Sequence, residues 1–328
     1  MPREISYTQA MTEALQEEMR RDETVFVLGE DVATTLPTRD VFEEFGARRV
    51  RNTPISEVAI VGAALGAALT GSRPVAEMMR VDFMTVAMDQ IINQVAKIRY
   101  MFGGTARVPL VIQAACGGGR GAAAQHSQSL EALFVHVPGL QVVMPSTPYD
   151  AKGLLKAAIR DDNPVIYLGP AMLSAMRGPV PDPDQDYIVP LGVADVKRAG
   201  TDVTIVATGW MVAHSLAAAD SLAEQDIEVE VIDPRTLKPL DLDTIAESVR
   251  KTKRLVVVNE APGIGSVASE IAASVQEACF DYLDAPIKRV TGVDVPMPFA
   301  AELEAAVMPD EQAIIAAVEE VVGVSMVA

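Results

Sequence analysis

Short runs of β-branched and apolar residues alternate with longer helical patterns along this chain of 328 residues. One helix is predicted to begin near Ser6, whose spacing to Gln9 suits a capping box, and another at Thr147-Pro148. A long helix is predicted over Met84 to Phe102. The alternation is typical of α/β proteins with parallel sheets. The strands expected in the first half span residues 25–28, 74–79, 108–113, 141–144 and 164–168.

A proline-rich segment divides this pattern in two. Residues 178–190 contain four prolines in thirteen positions, which excludes a continuing helix or a central strand. Beyond this segment the alternation of strands and helices begins again. We therefore predict two α/β domains, residues 1–177 and 191–328, joined by a linker at 178–190. The strands expected in the second domain span residues 203–207, 229–232, 255–259 and 287–290.

Composition excludes several classes of protein. The formal net charge of −18 would repel phosphates, so we expect no nucleic-acid partner. No apolar stretch reaches the roughly 18 residues of a membrane span, and residues 1–4 show no signal-peptide pattern. The expected location is therefore the cytoplasm, away from membranes. Cys116 and Cys279 lie far apart in the sequence, which argues against a disulfide framework and a cysteine-built metal site.

Glu57 is the only charged residue between Arg51 and Arg73. It stands at the start of a run rich in alanine and glycine, a composition that predicts a buried helix. A carboxylate at the first turn of such a helix should be partly buried, and would then need a proton, a partner or a ligand. The alternative is a carboxylate that only interacts with the helix dipole.

A histidine directly after a glycine cluster is the second candidate for chemistry. The cluster Gly117–Gly121 lacks the Lys-Ser/Thr ending of a phosphate-binding loop, and a second cluster at 263–265 lacks the third glycine of a dinucleotide site. Turns with close backbone approach explain both clusters better. His126 is flanked by amides and a hydroxyl and suits proton transfer, with simple packing as the alternative. Packing explains His136 and His214.

Several segments resemble the beta subunits of the thiamine-diphosphate-dependent decarboxylating component of 2-oxo acid dehydrogenase complexes. That family includes the pyruvate, branched-chain and acetoin enzymes. The likeness runs in order over essentially the whole chain, and it implies a transketolase-like pyrimidine-binding domain followed by a transketolase C-terminal domain. The segments that carry it include Asn-Thr-Pro-Ile-Ser-Glu at 52–57, Arg-Pro-Val-Ala-Glu-Met-Met at 73–79, Met-Asp-Gln-Ile-Ile-Asn at 88–93 and Ala-Ala-Gln-His-Ser-Gln at 123–128.

The resemblance implies roles for four residues around the coenzyme. Glu57 would bond a ring nitrogen of the pyrimidine and hold a proton there, which favours the imino form of the neighbouring amine. Phe83 would stack on the pyrimidine, with Ile55 and Met79 lining it. The bland alternative for Phe83 is an ordinary core residue.

Two further sites follow from the same resemblance. His126 would transfer a proton when the acyl group passes to the lipoyl arm of a dihydrolipoamide acyltransferase. A structural potassium site, built largely from backbone carbonyls, would involve Leu110, Ala158, Asp161 and Asn163.

The Gly-Asp-Gly motif that enzymes of this coenzyme class use for magnesium and the diphosphate does not occur here. An alpha subunit would then hold both, in a heterotetramer of two alpha and two beta subunits with large apolar interfaces. The substrate, pyruvate, a branched-chain 2-oxo acid or acetoin, stays open. Two alternatives remain: a split-chain carboligase similar to transketolase or deoxyxylulose-phosphate synthase, and a non-catalytic α/β module.

Overall fold

The computed structural model describes residues 3–35, 37–183 and 185–323, which form two compact units. The first unit contains Met1–Cys116 and Leu133–Leu191, and the second contains Gly117–Ala132 and Gly192–Ala328. Parts of the predicted domains and of the linker lie outside the described residues, namely residues 1–2, 36, 184 and 324–328. Segment 117–132 belongs to the second unit, although residues of the first unit precede and follow it in the sequence. The predicted first domain, residues 1–177, includes this segment.

The first unit is built around a parallel sheet. Six of its strands lie side by side in the order β6-β7-β5-β4-β2-β3, and every neighbouring pair is parallel. A separate antiparallel pair joins β1 and β8. The elements are β1 (Arg3–Ser6), α1 (Tyr7–Arg21), β2 (Val25–Gly29), α2 (Arg39–Phe45), β3 (Val50–Asn52), α3 (Glu57–Leu69), β4 (Arg73–Arg80), α4 (Val81–Met84), α5 (Ile98–Met101), β5 (Val111–Cys116), α6 (Glu131–Val135), β6 (Gln141–Val143), α7 (Pro148–Arg160), β7 (Val165–Pro170) and β8 (Arg177–Val180).

The second unit has a five-stranded sheet in the order β14-β13-β10-β11-β9. Strands β14, β13, β10 and β11 are parallel to one another, and β9 pairs antiparallel with β11 at the edge of the sheet. The predicted class, two α/β domains with mostly parallel sheets, is confirmed. The elements are β9 (Asp195–Arg198), β10 (Val203–Ala207), α8 (Met211–Ala223), β11 (Val229–Asp233), β12 (Thr236–Lys238), α9 (Leu242–Thr252), β13 (Leu255–Pro262), α10 (Val267–Cys279), β14 (Lys288–Gly292), α11 (Ala301–Val307) and α12 (Glu311–Gly323).

Two helix starts predicted from capping residues are confirmed. The Ser6 hydroxyl accepts the backbone N–H of Gln9 at 3.1 Å at the start of α1. At the start of α7 the Thr147 hydroxyl accepts the N–H of Asp150 at 3.1 Å, directly before Pro148. Each side chain satisfies a backbone donor that has no partner inside the helix.

The continuous helix predicted over Met84 to Phe102 is wrong. The chain forms α4, a 3₁₀ turn at Thr85–Ala87, a π-helical turn at Gln90–Val95, and then α5. Within the π turn the N–H of Ala96 donates to the carbonyl of Ile91, five residues earlier, at 3.0 Å. The buried apolar positions keep helical spacing throughout, so hydrophobic periodicity does not distinguish these helix types.

Helix α3 is buried on one face only within this chain. The buried positions are Ile60, Val61, Ala64, Leu65 and Ala68, while Val58 is 44% exposed and Leu69 is 40% exposed. The prediction of a buried helix therefore holds, within this chain, for one face of α3. Since both faces are apolar, composition cannot tell which face the chain itself covers. No helix among the described residues combines the length and apolarity needed to cross a membrane.

Candidate active site

Glu57 is half-buried at the first turn of α3, as expected for a carboxylate that opens an apolar helix. Just before it, the hydroxyl of Thr53 is buried and accepts or donates no hydrogen bond. The pKa of Glu30 is raised, first by desolvation and then by the negative charges of Asp31 and Glu57. The carboxylates of Glu30 and Glu57 are therefore close enough to repel each other.

The topology of the first unit brings the predicted coenzyme-binding residues to one edge of the sheet. Strands β3, β2 and β4 are neighbours and parallel, so their carboxyl ends meet at the same edge. Ile55 and Glu57 follow β3, Met79 lies at the end of β4, and Phe83 lies in α4. Ligands of open α/β sheets bind at this edge.

The exposure of these side chains differs. Ile55 is 73% exposed, whereas Met79 and Phe83 are half-buried. Met79 has a left-handed backbone with φ +57°, which is unfavourable for a residue with a Cβ atom. The edge therefore presents a half-buried carboxylate, an aromatic ring and an accessible aliphatic side chain.

A buried glutamate that sequence analysis missed lies directly behind Met79. One oxygen of Glu77 accepts the backbone N–H of Met79 at 2.9 Å, and the other accepts the side-chain amide of Gln113 at 2.6 Å. Burial raises the pKa of Glu77 to about 7, against the lowering effect of these two hydrogen bonds. The available signal was a lone carboxylate in a strand that a parallel sheet buries on both faces.

His126 lies in the second unit, on the loop 117–132. Its side chain is exposed, and its backbone N–H donates to the carbonyl of Ala123 at 3.3 Å. Ala123 is left-handed with φ +59°. The two candidate catalytic residues, Glu57 and His126, thus belong to different units.

Two carboxylates hold the glycine cluster that precedes His126. Glu260 accepts the backbone N–H of Gly118, and Glu304 accepts those of Gly119 at 2.8 Å and Gly121 at 2.9 Å. The cluster adopts positive φ at residues 117, 119 and 121, which glycine allows without strain. This is the turn with close backbone approach that the sequence indicated.

The opposite end of the same loop is fixed to β13. The side-chain amide of Asn259 donates to Glu131 at 2.9 Å and to the hydroxyl of Thr208 at 2.8 Å. Burial raises the pKa values of Glu131 and Glu260, the latter to about 7. Carboxylates and one amide therefore determine the shape of the loop at both ends.

A cavity of about 210 Å³ adjoins this loop within the second unit. It is lined by apolar residues such as Val293 and Met297 and by the acidic residue Glu260. Ser127 also lines the cavity, and its hydroxyl is buried without a hydrogen-bond partner. The cavity lies beside the residue that follows His126 in sequence.

The other two histidines and both cysteines lie where packing or surface position accounts for them. His214 packs edge-on against Trp210, with ring centroids 4.5 Å apart, and His136 lies at the surface. Cys116 and Cys279 are buried and form no disulfide. In the part of the chain that the structure describes, no group of three or more His, Cys, Asp or Glu residues is arranged to hold a metal ion.

The residues of the predicted potassium site lie near the C-terminal end of α7. Ala158 is in its last turn, Asp161 is its C-cap, and the Asp161 carboxylate accepts the backbone N–H of Asn163 at 2.7 Å. The carbonyl of Leu110 accepts the N–H of Val165 at 2.9 Å. The guanidinium of Arg73 donates to the carbonyls of 159 and 161, both at 3.0 Å, so a cationic group already faces this helix end.

Two stretches of the chain match known domain families. Residues 3–174 match the transketolase pyrimidine-binding domain, and residues 192–314 match the transketolase C-terminal domain. A solved structure titled "Split gene transketolase, inactive beta4 tetramer" superposes with a TM-score of 0.80 at 27% identity, covering 98% of this chain and 99% of that one.

Curated relatives are similar over nearly the whole chain. The beta subunit of acetoin:2,6-dichlorophenolindophenol oxidoreductase from Bacillus subtilis is 47% identical, with 98% of each chain covered. The pyruvate dehydrogenase E1 component subunit beta of Rhizobium meliloti is 48% identical over 95% of this chain and 69% of its own. The 2-oxoisovalerate dehydrogenase subunit beta of Bacillus subtilis is 46% identical, with 96% and 98% covered. The chain therefore belongs to the family of beta subunits of the thiamine-dependent pyruvate, acetoin and branched-chain 2-oxo acid dehydrogenases.

Proposed function

We propose that this chain is the beta subunit of a dehydrogenase that cleaves a 2-oxo acid or acetoin with thiamine diphosphate and transfers the acyl group to lipoamide. The observation that carries this proposal is the half-buried Glu57 at the carboxyl edge of a sheet matching the pyrimidine-binding domain. A carboxylate there suits a proton held at a ring nitrogen, because a carboxyl group can exchange a proton with a nitrogen base bound beside it.

The residues at this edge fit a pyrimidine ring. Thiamine diphosphate supplies the carbanion chemistry when it is bound, and the protein supplies position and protonation. Glu57 would hold the proton at the ring nitrogen, and Phe83 would stack against the ring. Ile55, which is 73% exposed, offers apolar surface for the coenzyme to cover. The orphaned hydroxyl of Thr53 adds an unsatisfied polar group at the same place.

His126 would act later, on the lipoyl arm of a dihydrolipoamide acyltransferase. An exposed imidazole on a loop fixed at both ends can reach a mobile substrate and still keep a defined position. An imidazole can act as a general acid, so His126 could donate a proton to the sulfur that is released when the lipoyl disulfide opens.

An alpha subunit would complete the site. The chain lacks Gly-Asp-Gly, so we assign magnesium and the diphosphate group to that partner, in a heterotetramer of two alpha and two beta subunits. The exposed apolar face of α3, with Val58 and Leu69, is suited to burial between subunits. Potassium at the end of α7 would serve structure only. We propose the cytoplasm as the location of this enzyme.

A split-chain transketolase-like carboligase is the second candidate. The superposition with a split gene transketolase, at a TM-score of 0.80, supports it. Identities of 46–48% to the dehydrogenase beta subunits, against 27% to that transketolase, favour the dehydrogenase.

Reconstitution with the alpha subunit tests the proposal. Dye reduction would be followed with thiamine diphosphate and magnesium, using pyruvate, a branched-chain 2-oxo acid and acetoin in separate assays. We expect turnover with one of them that disappears when either chain is omitted. A stable complex that is inactive with all three but active with sugar phosphates would favour the carboligase.

A further inference from the structure

The carboxyl end of β4 contains a local irregularity next to the proposed coenzyme site. In the pairing of β4 with β5, Glu77 is opposite Gln113 and Arg80 is opposite Ala115. Three steps along β4 therefore match two steps along β5, which is the extra residue of a β-bulge. Met79 lies inside this bulge, with φ +57°.

A left-handed residue with a side chain needs a compensating interaction to stay in that conformation. Glu77 supplies one, because its carboxylate accepts the Met79 backbone N–H at 2.9 Å. The carboxylate is itself fixed, since its second oxygen accepts the amide of Gln113 at 2.6 Å. Glu77 is 7% exposed and Gln113 is 2% exposed, so solvent does not compete for these bonds.

On the side of β4 opposite to β5, strand β2 packs closely against the backbone of Glu77. Gly29 of β2 is opposite Glu77, and a Cβ atom at position 29 would lie 2.3 Å from the Glu77 carbonyl oxygen. The backbone of Glu77 is thus held between β2 and β5. Because the Glu77 side chain accepts the Met79 backbone N–H, a fixed Glu77 also restrains Met79, two residues further along.

We infer that Glu77 is a positioning residue, which holds the backbone of Met79 in the left-handed bulge and so sets the wall against which the coenzyme pyrimidine packs. This inference rests on the proposed function for the contact of Met79 with the coenzyme. The link from Glu77 to Met79 rests only on the geometry of the first unit. Positioning requires the length and acceptor atoms of this side chain, and does not require its charge.

Gln113 makes a discriminating variant possible. Its side-chain oxygen is buried without a hydrogen-bond partner. In Glu77→Gln the new amide can keep its oxygen on Met79 and direct its nitrogen towards Gln113. Rotation of the Gln113 amide by half a turn then presents that orphaned oxygen as the acceptor. The hydrogen-bond network survives without the charge.

Glu77→Asp is the opposite change, because it keeps the carboxylate but shortens the side chain by one methylene. It cannot reach both Met79 and Gln113 from the same backbone. We therefore expect Glu77→Gln to bind thiamine diphosphate within about 3-fold of wild type, and Glu77→Asp and Glu77→Ala to bind at least 10-fold more weakly. Glu230→Ala is the control, since Glu230 is a buried carboxylate of the second unit that pairs with Lys251.

The experiment has two measurements. Thiamine diphosphate affinity is measured on each variant assembled with the alpha subunit, and hydrogen exchange at the Met79 amide is measured on the full chain alone. We expect faster exchange in Glu77→Asp and Glu77→Ala, near-normal exchange in Glu77→Gln, and no change in either measurement for Glu230→Ala.

Weaker coenzyme binding in Glu77→Gln than in Glu77→Asp would overturn the inference, because charge would then matter more than length. Unchanged Met79 exchange in Glu77→Asp would overturn it as well. A wild-type complex that does not bind thiamine diphosphate would instead contradict the proposed function. In that case the exchange measurement still decides whether Glu77 holds Met79.

Discussion

The carboxylate of Glu304 accepts the backbone N–H of Gly119 at 2.8 Å, and its other oxygen accepts that of Gly121 at 2.9 Å. Glu304 is 4% exposed and lies in α11, far along the sequence from the loop it holds. The loop that presents His126 therefore takes its shape from a side chain of the C-terminal domain, and this domain contributes to the proposed acyl-transfer step.

Replacement of Glu304 by glutamine should disturb that loop. An amide can accept only one of the two N–H groups and turns a donor towards the other, which costs about 1–3 kcal/mol for a buried unsatisfied group. We expect acyl transfer to lipoamide to fall roughly 10-fold, in line with that energy. Glu302→Gln, at an exposed position of the same helix, is the control and should transfer normally. Equal rates in both variants would contradict the role of Glu304.

Burial of Glu260 predicts a particular pH dependence of stability. Its pKa in the folded chain is raised from 4.5 to about 7, so the folded state binds the proton more tightly than the unfolded state does. The free energy of unfolding should therefore decrease as pH rises from about 4.5 to 7, by on the order of 3 kcal/mol for this group. Melting temperatures of wild type and Glu260→Gln across this range check it.

Glu260→Gln should show a flatter decrease than wild type. Glu77 has a similar raised pKa and remains in the variant, so part of the slope should persist. Parallel curves for the two proteins would show that Glu260 ionises in the folded chain as it does in water.

His126→Ala should separate the two halves of the reaction. An imidazole that acts on the lipoyl group is not needed when an artificial electron acceptor takes the electrons. We expect a loss of roughly 100-fold in lipoamide acylation, with a much smaller change in dye reduction. His136→Ala, at another exposed histidine, is the matched control. An equal loss in both assays would place His126 in the earlier half-reaction.

Gly29→Ala should destabilise the first unit. The added Cβ would lie 2.3 Å from the Glu77 carbonyl oxygen, so two central strands must separate, at a cost of roughly 1–3 kcal/mol. In contrast, Gly66→Ala in α3 meets no atom within 4 Å and should stabilise the isolated chain by up to about 1 kcal/mol. Denaturation of the two variants should shift the unfolding midpoint in opposite directions, and a neutral Gly29→Ala would contradict the packing described here.

Much of the fold was predictable because local signals agree with it. The hydroxyls of Ser6 and Thr147 start helices where the sequence indicates, and the alternation of strands and helices gives the parallel sheets. The continuous helix predicted for residues 84–102 was wrong because α, 3₁₀ and π turns share the same apolar spacing. The half-buried position of Glu57 was predictable from its place at the start of an apolar helix.

The hydrogen-bond partners within the site were not predictable. Glu77 and Gln113 are 36 residues apart in sequence and meet only through the register of β4 and β5. Glu304 and Gly119 are 185 residues apart. Pairings of this kind depend on tertiary structure, and no local pattern marks them. The glycine cluster did indicate close approach to the backbone, but not that carboxylates are what approaches.

The most direct test of the account is the turnover of Glu57→Gln assembled with the alpha subunit. Glutamine keeps the size of the side chain but cannot take up and release the proton at the coenzyme ring. We expect thiamine-diphosphate-dependent dye reduction to fall at least about 100-fold, while assembly and the melting temperature stay close to wild type. Glu43→Gln, an exposed residue of α2, should keep full activity. Normal turnover in an assembled Glu57→Gln complex would contradict the central claim.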